Sequence, residues 1–373
     1  MRIVSLTLGQ FRNYTSQEVK FTDEDIQLFA GRNGSGKTNL IEAISVLSIT
    51  RSCRGKDDTD MVQWDAGYYR LRAEVRNDAG ELHRLESVCE LKPRRRKAFF
   101  INDVRMTVGG IVGFLPTVTF LPQDLLLFSG PPAERRRFLD QLLSQISPEY
   151  LGHLSQYVKI VQQRNALLKR VAAGNDSPAA LDVWDMELCR TGSAITLARL
   201  QLMETLNLTF AEEMASLGET WNDVKLIYDR KTSTRTSEEL TQEMRSLLIA
   251  GRDRDILLQS TGVGPHREDW QVFRGERDLP SFASRGQERV AVLALLLLEV
   301  SYLELRRGEK PVIMLDDAFS ELDDDHQTAL LEGFRGYQVI MTATRVPEGA
   351  GVASVFPVNP GAVGDSTLHT GQA

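Results

Sequence analysis

The amino-acid sequence predicts an α/β head interrupted by a helical lobe, and three observations carry that prediction. Near the start, the apolar run Ile26-Gln27-Leu28-Phe29-Ala30 passes straight into a glycine-rich loop, which opens a segment with Leu40, Ile41, Ile44 and Leu47 at helical spacing. From 133 to 260 the chain turns rich in Leu, Glu, Gln and Arg at helical spacing. After 261, short apolar runs that read as strands return at 311–315 and 339–342. The division expected is 1–132 and 261–373 for one head, with 133–260 as the inserted lobe.

Residues 3–8 alternate, Val4, Leu6 and Leu8 against Ser5 and Thr7, which is the period of a strand. Further strands are expected at 68–76, 82–91 and 97–101, the last two joined by the basic run Pro93-Arg94-Arg95-Arg96-Lys97. Within the lobe, Gly174-Asn175-Asp176-Ser177-Pro178 marks a helix break. The lobe's helices are too few and too interrupted to hold a heptad seam, so a short arm and no long coiled coil is expected. The tail from 349 onward, rich in Gly, Ala, Val and Pro, contains little that demands a core. No internal repeat is present.

Composition sets outer limits. A chain of 373 residues that is 42% hydrophobic and 25% charged is an ordinary globular protein of two or three domains, or one head with a large insertion. Cys53, Cys89 and Cys189 are far apart and lack CxxC or Cys/His spacing, which points away from a disulfide framework or a zinc site and toward a reducing cytoplasm. The start, Met1-Arg2-Ile3-Val4-Ser5, lacks a basic flank and apolar core, and the longest apolar stretch, 290–298, is too short for a bilayer, so neither secretion nor membrane contact is expected. A net charge of −7 argues against a uniformly positive surface for nucleic acid. Any DNA contact then falls to local patches: the run 93–97, Arg135-Arg136-Arg137, and Arg51 with Arg54 and Lys56.

The glycine-rich loop is Gly31-Arg32-Asn33-Gly34-Ser35-Gly36-Lys37-Thr38, followed by Asn39, and it fits the phosphate-binding pattern G-x-x-x-x-G-K-[ST] in the required context of strand before and helix after. Glycines let successive N–H groups converge on phosphates at a helix N-terminus, Lys37 reaches the β- and γ-phosphates of ATP, and the Thr38 hydroxyl can ligate Mg²⁺. Far downstream, Val312-Ile313-Met314-Leu315-Asp316-Asp317 is an apolar strand ending in two acids, where a P-loop protein holds its metal. Asp316 is expected to face Mg²⁺, and Asp317 to orient or deprotonate the attacking water. Taken alone, the two acids could equally cap a following helix.

The segment Phe282-Ala283-Ser284-Arg285-Gly286-Gln287 opens a long apolar helix and resembles the signature of ABC-type ATPases in the form Ser-x-Gly-Gln. Leu121-Pro122-Gln123-Asp124 resembles that family's Q-loop, and Ser320-Glu321-Leu322-Asp323 its D-loop. The resemblance implies an ABC-type P-loop ATPase head. It also implies Gln123 near the metal and the chemistry, and Ser284, Gly286, Gln287 and Asp323 on ATP held by the P-loop of a second copy, so ATP would close a homodimer. Asp317 stands where many members have glutamate, which implies slow turnover. Thr342 and Thr344 follow the last strand where transporters of the family carry a switch histidine, which weakens a transporter reading.

Several segments narrow the branch: Phe11-Arg12-Asn13-Tyr14, Gly130-Pro131-Pro132 through Arg135-Arg136-Arg137-Phe138-Leu139-Asp140, Gln163-Arg164-Asn165, and Gly264-Pro265-His266-Arg267. With these the chain resembles, from end to end, the RecF family of bacterial recombination mediators in the SMC-like branch. Glu268 follows Arg267 where that family's pattern has aspartate, keeping the charge. The resemblance implies ATP-dependent binding of double-stranded and gapped DNA, partnership with RecR and RecO, help in loading RecA, and a cytoplasmic location. By residue type alone, 93–97 is either a solvated turn or a DNA contact, Arg135 to Arg137 either touch phosphate or pair with acids, and His266 reads as a local structural group.

Overall fold

A computed structural model describes residues 1–221, 223–230, 236–317, 322–346 and 354–368. The chain divides into two compact units: 1–126 with 216–218 and 289–373, and 127–215 with 219–288. The second unit thus extends at both ends past the 133–260 span in which helical composition is concentrated.

The first unit is built on two sheets. One is antiparallel, in the order Tyr14–Lys20, Arg2–Phe11, Tyr68–Arg76, Leu82–Glu90, Arg96–Ile101, Val104–Met106. Tyr68–Arg76 alternates strictly between exposed and buried residues, as a sheet with one wet face requires. The second sheet has a parallel core in the order Ser354–Asn359, Ile26–Ala30, Val339–Ala343, Val312–Asp316, Thr117–Phe120. Val312–Asp316 and Val339–Ala343 are buried at every position, which explains why their apolar runs are unbroken.

Helix Lys37–Ile49 packs against strands of both sheets. It is buried nearly all round, its polar residues Glu42, Ser45 and Ser48 included, so each of these must find a partner inside the protein. Ser48 donates to Leu115 O at 2.8 Å and Ser45 to Arg51 O at 2.9 Å.

The tail is a correction to the sequence reading. Ser354–Asn359 is a strand parallel to Ile26–Ala30, with Val355, Phe356 and Val358 buried. Phe356 stacks on Phe29 at 4.6 Å between ring centres, a contact that contributes about 0.5–1.5 kcal/mol beyond the area it buries. Tail positions 349–353 and 369–373 lie outside the described residues.

The second unit contains helices Pro132–Ile146, Pro148–Ala172, Leu181–Leu206 and Ser237–Ala250, and the break expected at 174–178 falls at 173–177. At 25 and 26 residues its longest helices span about 39 Å, a short arm and no long coiled coil. The lobe is not wholly helical. Val224–Asp229, Asp269–Arg274 and Arg277–Asp278 form an antiparallel sheet, and Trp270, fully buried, donates from its indole to Arg135 O at 2.7 Å.

Arg135 is itself buried. It grips Asp269 through Nε and Nη2 at 2.9 and 2.7 Å and caps the carbonyls of Leu127, Phe128 and Gly130. Removing one member of such a pair strands the other, at a cost of about 3–5 kcal/mol. Of the two readings of this arginine run, ion pairing holds for Arg135. Arg137 lies 3.4 Å from Glu134, and Arg136 donates to Glu268 O.

His266 is held between the Tyr157 hydroxyl at 2.6 Å and Thr261 O at 3.1 Å, and burial pushes its pKa down to about 4. It is a neutral structural group, as a lone histidine beside Pro and Arg reads. Glu268 accepts from Thr196 and Tyr228.

Candidate nucleotide site

The loop between Ile26–Ala30 and helix Lys37–Ile49 is shaped by its glycines. Gly36 sits at φ +116°, a conformation that side chains resist, and a Cβ on Gly31 would come 2.2 Å from Val358 O. Gly36 is also the N-cap of the helix and offers no side chain, so no cap occupies the helix N-terminus. Lys37 is buried, and its ammonium donates to Gly31 O at 2.9 Å and Arg32 O at 3.4 Å, spanning the loop from within. Arg32, Asn33 and Gly34 are exposed at the loop's crest, and Asn39 lies in the first turn of the helix.

The parallel sheet brings the two acids to this loop. Thr38 Oγ1 donates to Asp316 Oδ1 at 3.0 Å, across 278 residues of sequence. The same carboxylate oxygen accepts Thr342 Oγ1 at 2.7 Å, and Thr342 Oγ1 accepts the N–H of Asp317 at 2.9 Å. Asp317 follows the strand at φ +47°, and burial raises its pKa, with Asp316 adding to the rise and Lys37 opposing it. Two buried side-chain atoms at this site, Ser35 Oγ and Asp317 Oδ1, have no hydrogen-bond partner among the described residues. Buried polar atoms are nearly always bonded, so both are suited to a ligand or its water.

Among the described residues no cluster of three His, Cys, Asp or Glu could hold a metal. The donor pair that is present, a threonine hydroxyl and a carboxylate, suits Mg²⁺, which takes few protein ligands and completes its shell with water and phosphate.

Thr342 is a position beside the two acids that the sequence reading misplaced. It lies inside strand Val339–Ala343, between the loop strand and the acid strand, and its hydroxyl fixes both acids; only Thr344 follows that strand. The strand is also not the last, since Ser354–Asn359 comes after it.

The turn Phe11-Arg12-Asn13-Tyr14 holds the loop from outside. Asn13 donates to Ser35 O at 2.9 Å and accepts Asn39 Nδ2 at 2.8 Å, while Tyr14 donates to Gly36 O at 3.2 Å. Burial pushes the Tyr14 phenol well up, so it remains a donor.

Gln123 stands exposed on the turn Pro122–Leu126, and no hydrogen bond links it to Thr38 or Asp316 among the described residues. Of the D-loop segment, Ser320 and Glu321 lie outside the described residues. Asp323 is exposed, caps helix Asp324–Gly333 through His326 N at 3.0 Å, and pairs with the His326 ring at 2.6 Å.

The Ser284 segment lies in the second unit, at the start of helix Arg285–Arg307. Ser284 Oγ accepts Gln287 N at 3.2 Å, and Gln287 Oε1 accepts Ser284 N at 3.0 Å. This reciprocal cap fixes the turn and leaves Ser284, Arg285 and Gly286 exposed.

Two basic runs distant in sequence meet in the first unit. Arg95 pairs with Asp57 at 2.7 Å, while Lys97 pairs with Asp58 and donates to Thr50 O at 2.9 Å. Arg51, Arg54, Lys56, Arg94 and Arg96 are left exposed on the joined loops.

A phosphate loop and an acid strand joined across a parallel sheet define a P-loop ATPase head, and the family model described as RecF/RecN/SMC N terminal domain matches residues 2–355. Crystal structures of SMC heads share the fold at 14–15% identity, with TM-scores of 0.56 and 0.54. The DNA replication and repair protein RecF of Heliobacterium modesticaldum is 34% identical, covering 97% of this chain and 98% of its own. That of Symbiobacterium thermophilum is 37% identical, covering 92% of each. Structures of the recombination mediator protein RecF-ATPrS and RecF-ATP in the RecFOR pathway superpose with TM-scores of 0.91 and 0.89 at 30% identity. They cover 97% and 98% of this chain and 97% of each solved chain. The chain belongs to the RecF family of DNA replication and repair proteins.

Proposed function

We propose that this chain is an ATP-driven DNA-binding switch that closes as a homodimer on duplex DNA, hydrolyses ATP slowly and reopens. The observation that carries this is the Thr38–Asp316 bond beside a buried Lys37 and a glycine-shaped, uncapped helix start. Lys37 and the loop N–H groups compensate phosphate charge, and Thr38 with Asp316 would hold Mg²⁺. Magnesium, when bound, would supply positive charge that compensates the phosphates. Asp317 orients the attacking water and accepts its proton as the new P–O bond forms and the bond to the ADP oxygen breaks. Its raised pKa suits a base, whereas its short side chain keeps turnover slow.

Gln123, exposed on its turn, would join the site when nucleotide and metal are bound. Ser284, Gly286 and Gln287 of a second copy complete the phosphate shell, with Asp323 beside them. The exposure and rigid capping of the Ser284 turn support this reading.

Membership of the family extends the proposal to gapped DNA, RecO- and RecR-type mediators, loading of RecA, and a cytoplasmic setting. No described helix is long and apolar enough to cross a membrane. An SMC-like clamp for chromosome organisation would need far longer arms than helices of 25 and 26 residues provide.

The DNA contact is assigned to the joined basic loops. Replacing Arg94, Arg95 and Arg96 together with alanine is expected to weaken duplex binding and to flatten the salt dependence by about three charges. The test is duplex affinity titrated at several salt concentrations, with and without ATP. Unchanged affinity and slope would make the run a solvated turn.

A further inference from the structure

Glu42 is fully buried in helix Lys37–Ile49, about one turn beyond the phosphate loop, and its carboxylate is the meeting point of three chain segments. Arg12 grips it through Nε and Nη2, both at 2.7 Å, and Ser52 Oγ donates to the same Oε1 at 2.5 Å. Arg12 belongs to the turn whose Asn13 and Tyr14 hold the phosphate-loop carbonyls of Ser35 and Gly36. Ser52 lies between the exposed Arg51 and Arg54, and its Oγ also accepts Arg54 N at 3.1 Å. The far side of Arg12 is fixed as well, by Nη1 to Asp60 O at 2.5 Å and by its own N–H to Met61 O at 2.9 Å.

A path of charge-assisted and neutral hydrogen bonds, joined by the backbone step from Asn13 to Arg12, therefore runs from the phosphate loop through Glu42 to Ser52 and the basic loop. Bidentate pairs hold geometry as well as energy, so they pass a displacement where a single flexible contact would absorb it. Glu42 is fully buried and so offers nothing directly to a phosphate or to DNA. Its three donors come from the two segments that, on the reading above, serve those ligands.

We propose that Glu42 is a positioning residue that couples the nucleotide loop to the basic loop, so that ATP in the P-loop sets how Arg51 and Arg54 are presented to a phosphate backbone. This rests on the proposed ATP-linked DNA binding. The discriminating variant is Glu42→Gln, which keeps the volume and one acceptor but removes the carboxylate that both Arg12 and Ser52 need. A milder variant, Ser52→Ala, cuts only the last link and leaves the Arg12–Glu42 pair intact.

Two affinities are measured for each protein: that for the fluorescent mant derivative of ATP without DNA, and that for duplex DNA with and without ATP. Glu42→Gln is expected to keep the nucleotide affinity within about twofold and to lose about tenfold of the ATP-linked gain in duplex affinity. Ser52→Ala is expected to lose a smaller part of the same gain, and it carries the test if Glu42→Gln does not fold. Full retention of the gain in the folded variants overturns the coupling. So does a parallel loss of nucleotide affinity, which would make Glu42 a support of the P-loop alone. A wild-type chain with no ATP-linked gain would overturn the functional reading along with it, whereas a normal wild-type gain kept by the variants overturns the coupling only.

Discussion

Replacing Lys37 with methionine is expected to abolish ATP turnover, by at least about a hundredfold, while leaving the circular dichroism spectrum and the thermal transition close to those of the wild-type chain. The two readouts separate because of where the ammonium points. Its protein partners are two carbonyls of the loop it belongs to, so methionine fills the same channel and leaves only those carbonyls to water or to nearby N–H groups. What is lost is the buried positive charge proposed to face the phosphates. Unchanged turnover in a folded Lys37→Met protein would remove the nucleotide site from this loop.

Asparagine at Asp317 is expected to have an effect of comparable size but of another kind. Its backbone N–H is held by Thr342, and one buried carboxylate oxygen has no partner among the described residues, so Asp317→Asn is expected to keep the fold and the shape of the site. Nucleotide affinity should hold within about threefold while turnover falls at least about a hundredfold, because the amide cannot accept the water's proton. Single-turnover hydrolysis with binding measured alongside decides it. A variant that hydrolyses normally shows that another group is the base.

Much of the site was legible in the sequence because its signals are local. A P-loop needs its glycines, lysine and threonine in fixed order, and the acid strand shows as an apolar run that ends abruptly in two carboxylates. The two halves of the Ser284–Gln287 cap also lie within one turn.

The positions that were missed depend on strand order. Thr342 reaches Asp316 only because Val339–Ala343 lies between the loop strand and the acid strand. Nothing at position 342 itself announces that contact. The turn at Asn13 and Tyr14 could be matched to a family but not to a task, since its partners are carbonyls 22 residues away.

The small sheet of the second unit escaped for a different reason. Val224–Asp229 alternates between buried and exposed residues, but an exposed Ile227 masks the period and its partner strand lies some 45 residues downstream. The strand Ser354–Asn359 was concealed by composition, being short, containing a proline, and surrounded by glycine and alanine. Arg135 stood in a row of three arginines of which it is the buried one, and only the tertiary position of Asp269 distinguishes it from its neighbours.

The central claim is that one copy's P-loop and another copy's Ser284 turn act on the same nucleotide, and mixing two inactive variants tests it most directly. Lys37→Met disables one half of each site and Ser284→Arg the other, so each variant alone should be inactive. In a mixed dimer one site carries both lesions and the other carries none. Random pairing makes about half the dimers mixed, so about a quarter of wild-type turnover should return. Sedimentation with ATP establishes that mixed dimers form, and wild-type chain mixed with Lys37→Met shows whether one intact site fires alone. If mixed dimers form, a lone intact site fires, and the two variants together still return no turnover, the shared site does not exist in this protein.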